Sequence, residues 1–191
     1  MSGKTGERKH QILQTLAEML EQPLSARITT AALAAKLQLS EAALYRHFAS
    51  KAQMFEGLFE FIETTIFSLT NQIIANEPDG LQQAKKITLM MLTFAERNRG
   101  MTRVLTGDAL VNEDARLQAR ASQITDRIDA TFRQCLRQAI STGSLSASSE
   151  TTAMAALLTQ QVIGGWLRFA QSCWQYLPTK HINAQLTLIL G

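Results

Sequence analysis

Apolar residues along this chain recur at intervals of three and four and nowhere alternate, which confines the chain to helices packed on helices. Only three prolines interrupt the pattern, at positions 23, 78 and 178, and most of the ten glycines fall at breaks. Nine helices are predicted. The first covers about 7–22 and carries Ile12, Leu13, Leu16, Met19 and Leu20 on one stripe. The second begins at Thr29 or Thr30, either of which suits an N-cap, and runs through "AALAAKL". The third starts behind the cap Ser40 and ends near Phe48. Longer helices are expected over about 51–75, 79–98 and 112–141, with a short one reaching Thr106, and two more over 149–175 and 179–190. Gly100 reads as the C-cap of the helix ending at 98. The expected fold is all-α, a small three-helix unit over 1–50 followed by a helical body over 51–191.

Composition narrows the function classes. A hydrophobic content of 46% supports a real core, and no run of 18 apolar residues suggests a membrane span. The start "MSGKTGERKHQ" lacks the apolar stretch of a secretory signal. Cys135 and Cys173 are isolated in helical patterns, which suits reduced, buried thiols in a cytosolic protein. There is no Gly-rich phosphate loop, HExxH or CxxC, and His10, His47 and His181 lie far apart. Catalysis, a metal site and a cofactor are therefore not expected. The net charge of +3 sits entirely in the first 55 residues, where seven Lys/Arg face four Asp/Glu; later residues balance at twelve of each. A polyanion partner for that end is the implication.

Two short helices joined by "QLS" are patterned in phase, so that Leu33, Leu37, Leu39, Leu44 and Phe48 form one small core with the first helix. That arrangement is a helix-turn-helix, whose second helix enters the major groove of double-stranded DNA. Ala42 and Ala43 are small enough for close approach and for contact with a thymine methyl. Glu41 either accepts a hydrogen bond from cytosine N4 or serves only the first-turn dipole. Thr29, Thr30, Tyr45, Arg46 and Lys51 complete the candidate DNA contacts, with Tyr45 and Lys51 placed for phosphates. His47 is a further contact or a packing residue. Lys4, Arg8 and Lys9 form a basic arm.

In the long helices, Ile87, Met91 and Phe94 form a core stripe, while Met90, Thr93 and Arg97 form a second one on another face. Phe61, Thr65 and Leu69 repeat at matching intervals on the helix before. The second stripe reads either as an adaptable peptide groove or as burial on two sides. The Ala-rich segment "TTAMAALLTQQVIGGWLRFAQSCW", with Gly164 and Gly165 beside Trp166, suits close helix approach. The last two helices are expected to pair across a two-fold axis as a homodimer, with palindromic DNA sites one helical turn apart between half-sites.

The segment "TTAALAAKLQLSEAALYRHFASKAQMFEGL" resembles the DNA-binding domain of TetR-type regulators, with Gln38 at the turn position usually held by glycine. Together with "FEFIE" and "FAERNRGMTRVLTGDAL", it is similar to the SlmA family of nucleoid occlusion factors within that class, over most of residues 7–140. The resemblance implies a cytoplasmic, nucleoid-associated protein that binds chromosomal sites and, when DNA-bound, blocks assembly of the tubulin-like division protein FtsZ. It implies that the FtsZ tail docks between the fourth and fifth helices, at Phe61, Met90, Thr93, Arg97 and Asn98. Thr93 stands where glycine is common and Leu69 where arginine is common. A ligand-responsive repressor on the same fold is the alternative, with a cavity lined by the fourth to eighth helices.

Overall fold

The computed structural model describes residues 2–22, 28–111 and 113–191, with side chains from residue 6 onward. Most of the expected break "QPLSAR", Asn112 and the side chain of Lys4 lie outside these residues. Nine α-helices and no strand occur among the described residues: α1 (Ser2–Leu20), α2 (Thr30–Lys36), α3 (Glu41–Tyr45), α4 (Lys51–Asn76), α5 (Gly80–Arg97), α6 (Arg99–Leu105), α7 (Ala115–Thr142), α8 (Thr151–Gln171) and α9 (Ile182–Leu190). None of them is long and apolar enough to cross a membrane. The chain divides into two compact units, one formed by 1–62 with 98–121 and the other by 63–97 with 122–191.

In the first unit α1 packs on α2 and α6, and α2 on α3. The α1 stripe behaves as its spacing requires, with Ile12, Leu16 and Leu20 buried and Leu13 and Met19 half-buried. Gly100 is not the cap expected of it. It lies inside α6, buried against α1, where a Cβ would fall 1.9 Å from the Ala17 carbonyl oxygen. The residue is therefore glycine because two helix backbones touch, while α5 ends at Arg97 and Asn98 begins the next helix. The segment after α6 also departs from expectation. Gly107 turns left-handed (φ 77°), a 3-10 turn covers Asp108–Leu110, and α7 begins only at Ala115. Asp114 accepts the Arg116 amide there, at 3.0 Å.

In the second unit α5 packs on α8 and α9, and α8 on α9. Ile87, Met91 and Phe94 are buried, as the stripe requires. Trp166 is buried with its indole Nε1 donating to the Met91 carbonyl at 3.0 Å, so the ring fastens α8 to α5. Glu96 Oε1 accepts from the Thr179 amide (3.0 Å) and hydroxyl (2.6 Å), holding the segment that leads into α9. Helix α8 stops at Gln171 rather than near 175, because Cys173 (φ 50°) and Trp174 (φ 69°) turn left-handed. Trp174 N donates to the Phe169 carbonyl and Cys173 N to that of Ala170, closing the helix end. Cys173 is consequently exposed, not buried as expected, since it sits beyond the helix. Cys135 is buried within α7, and burial pushes its thiol pKa up to about 11.

Candidate nucleic-acid interface

Two side-chain caps set the register of the helix pair. Thr29 Oγ1 accepts the Ala32 amide of α2 and Ser40 Oγ the Ala43 amide of α3, each at 3.1 Å. Between them, α2 ends in a Schellman closure: Leu39 N donates to the Ala34 carbonyl (2.9 Å) and Gln38 N to that of Ala35 (3.0 Å). That geometry requires a left-handed residue, and Gln38 adopts it at φ 55°. The turn keeps its shape without glycine and carries a strain of about 1 kcal/mol.

The closure turns one face of α3 inward and leaves the other open. Leu44 is fully buried and Phe48 is 7% exposed, and Leu33 and Leu37 lie buried on α2. Truncating a buried leucine of this kind costs about 2–5 kcal/mol, so the inward face holds the helix in place. On the other face Glu41, Ala42 and Arg46 are exposed, Tyr45 is 42% exposed, and Ala43 is half-buried. The exposed face is also organised. Thr30 Oγ1 donates to Glu41 Oε2 at 2.7 Å and accepts from the Tyr45 hydroxyl at 3.3 Å. One threonine thus ties together both ends of α3.

His47 is half-buried, and its Nδ1 is buried with no hydrogen-bond partner among the described residues. Of the basic arm, Lys9 Nζ lies 5.5 Å from the centre of the Phe48 ring, and Arg8 hydrogen-bonds Gln11. Lys51 begins α4, whose start is fixed by a reciprocal cap. The Gln53 amide donates to Ser50 Oγ (3.2 Å), and Gln53 Oε1 accepts the Ala49 amide (2.9 Å). Here sequence reasoning missed a legible signal, the Ser-x-x-Gln spacing of a capping box. It also missed Glu113, whose carboxylate pairs with Lys51 Nζ at 2.5 Å; the two side chains are only 20% (Lys51) and 10% (Glu113) exposed. Lys51 Nζ also lies 5.7 Å from the centre of the Phe55 ring. No local pattern announces a partner 62 residues away.

The residues expected to meet a protein partner divide between the units. Phe61 (first unit) is 38% exposed, and the His10 ring meets it edge-on at 6.0 Å. Asn98, also in that unit, begins α6 and is half-buried. In the second unit Met90 and Thr93 are half-buried, and Arg97 is exposed with no partner among the described residues. Its neighbour Glu96, held by Thr179, is committed elsewhere. In α8, Gly165 is spent within the chain, since a Cβ there would lie 2.9 Å from Leu92 Cδ2, whereas Gly164 opens on empty space.

Comparison with known proteins agrees with this geometry. Residues 12–58 match the tetR family of bacterial regulatory proteins, and residues 78–191 match the SlmA-like tetracyclin repressor-like C-terminal domain. The chain is 47% identical to nucleoid occlusion factor SlmA of Aliivibrio fischeri over 183 residues, which span 95% of this chain and 93% of that protein. It is 46% identical to the SlmA of Vibrio cholerae over the same shares, and 45% identical to that of Shewanella halifaxensis over 98% and 95%. Among solved structures, the fold matches that of the regulator FadR from Bacillus subtilis, in complex with stearoyl-CoA. The TM-score is 0.80 at 12% identity, over 95% of this chain and 97% of that one. The TetR-family regulator PfmR from Thermus thermophilus matches with a TM-score of 0.77 at 17% identity, over 94% and 96%. The chain belongs to the SlmA family of nucleoid occlusion factors, within the TetR class of helix-turn-helix proteins.

Proposed function

We propose that this protein is a DNA-bound inhibitor of cell division acting over the nucleoid. As a homodimer, it presents two copies of α3 to successive major grooves of a palindromic chromosomal site. Residues 1–50, with Lys51 at the start of α4, supply the DNA contacts, and the rest of 51–191 the dimer and regulatory functions. The observation that carries the reading is the division of α3 and the turn that follows it: Leu44 and Phe48 are buried, while Glu41, Ala42, Tyr45 and Arg46 stay open to solvent. The dimer contact uses α8 and α9, where Leu157 and Leu188 stand exposed and Gly164 has open space above it.

The division partner is the C-terminal tail of FtsZ, held at Phe61, Met90, Thr93, Arg97 and Asn98. Support comes from the exposed, uncommitted guanidinium of Arg97, which suits bidentate pairing with an acidic side chain of the tail. A direct test is capture of a synthetic FtsZ-tail peptide by the full chain, with and without operator DNA. Binding by the native chain and loss in Arg97→Asp are expected. Undiminished binding by Arg97→Asp would move the peptide site elsewhere.

A further inference from the structure

We propose that Glu41 reads a cytosine in each half-site and that Thr30 is the positioning residue that aims it; the inference rests on the DNA-binding reading above. Cap formation does not explain Glu41, because Ser40 already accepts the Ala43 amide at the start of α3. The carboxylate instead reaches across to α2, where Thr30 Oγ1 donates to Oε2 at 2.7 Å. Oε1 has no partner among the described residues, and the side chain is exposed. One oxygen is anchored and the other is free, on the face that carries Ala42 and Tyr45.

A carboxylate is purely an acceptor and is repelled by phosphates, so a DNA contact by Glu41 has to be with a base-edge donor and not with the backbone. Guanine and thymine offer acceptors alone in the major groove. Adenine sets its N6 donor beside the N7 acceptor, which opposes a carboxylate. Cytosine N4 is a donor with no acceptor of its own alongside. Glu41 therefore selects C·G. Thr30 also accepts from the Tyr45 hydroxyl at 3.3 Å, so the base reader and a phosphate-side tyrosine share one anchor. A register error that displaces Tyr45 disturbs Glu41 as well.

The test is selection from a randomised duplex pool with the full chain, followed by affinities on single-pair variants of the selected site. The native protein is expected to select C·G at one symmetric position, with about 5- to 100-fold loss on replacing that pair. Glu41→Gln should move the preference there to A·T, because an amide pairs bidentately with adenine N6 and N7. Thr30→Val should keep helix content and, whatever affinity it retains, shrink discrimination at that pair at least threefold while preferences at the other pairs persist, with Thr30→Ser restoring it. A purely structural Thr30–Glu41 staple would lower thermal stability and leave the base preference alone. If Glu41→Gln selects the same site as the native chain at every position, the proposal is overturned while DNA recognition stands. If the native chain enriches no sequence, the DNA reading falls and takes the proposal with it.

Discussion

Small residues serve opposite ends in two regions of this molecule. In α3, Ala42 faces solvent beside Tyr45 and Arg46, so the short side chain leaves room for something outside the chain. In α6, Gly100 is buried with the Ala17 carbonyl where its side chain would be, so the space is already filled from within. Helix α8 shows both uses at adjacent positions, with Gly165 against Leu92 and Gly164 open. A small residue in a sequence announces close approach, and only the structure says whether the approaching body belongs to the same chain.

The comparison can be broken most sharply at Gly100. Gly100→Val should lose more than about 3 kcal/mol of stability in urea denaturation, because α1 and α6 must separate. A loss below 1 kcal/mol would show that the contact yields easily. Ala42→Leu should do the reverse, leaving stability within about 0.5 kcal/mol and weakening DNA binding more than about tenfold in a titration. Equal loss of fold and binding would erase the distinction between the two sites.

Charge gives a subtler contrast, because Lys51 belongs to the proposed DNA surface and yet is paired inside the chain with Glu113. Lys51→Ala should weaken binding to all duplexes alike and flatten the salt dependence, by a slope of up to about 0.9. Glu113→Gln should steepen it, since the lysine then meets phosphate without a competitor. If both variants keep the native slope, Lys51 does not meet DNA.

At the turn, Gln38→Gly should raise stability by about 0.5 kcal/mol. Relief of left-handed strain exceeds the extra freedom that glycine adds to the unfolded chain. The smallest effect belongs to Asp79, which the Ser144 hydroxyl holds below its usual carboxylate range, aided by backbone amides. A carboxyl lowered by folding stabilises above its unfolded pKa, and that contribution is lost as pH falls through its depressed folded value. Ser144→Ala should therefore reduce stability at neutral pH slightly and soften the acid limb of a pH-melting series.

Most of this fold was legible because helical spacing is a local signal, and the caps Thr29 and Ser40 announce themselves within three residues. The TetR-like pair of short helices was readable for the same reason. Gln38 left two outcomes open, a distorted turn or a tolerated strain, and the Schellman bonds of Leu39 and Gln38 decide for the second. What stayed hidden was long-range. Gly100 looked like a helix stop because nothing nearby points to Ala17, and Lys51 looked free because Glu113 lies 62 residues away. Cys173 looked helical because the apolar rhythm runs on past Gln171 although the backbone turns.

The placement of aromatic rings has a practical consequence for all such measurements. Both indoles, Trp166 and Trp174, lie in the second unit, and Trp166 is sealed there by its bond to Met91. Intrinsic tryptophan emission will therefore follow that unit and stay silent about α1, α2 and α3. A fluorophore introduced near α3, or amide exchange, has to accompany it before an optical melting curve can be assigned to the recognition surface.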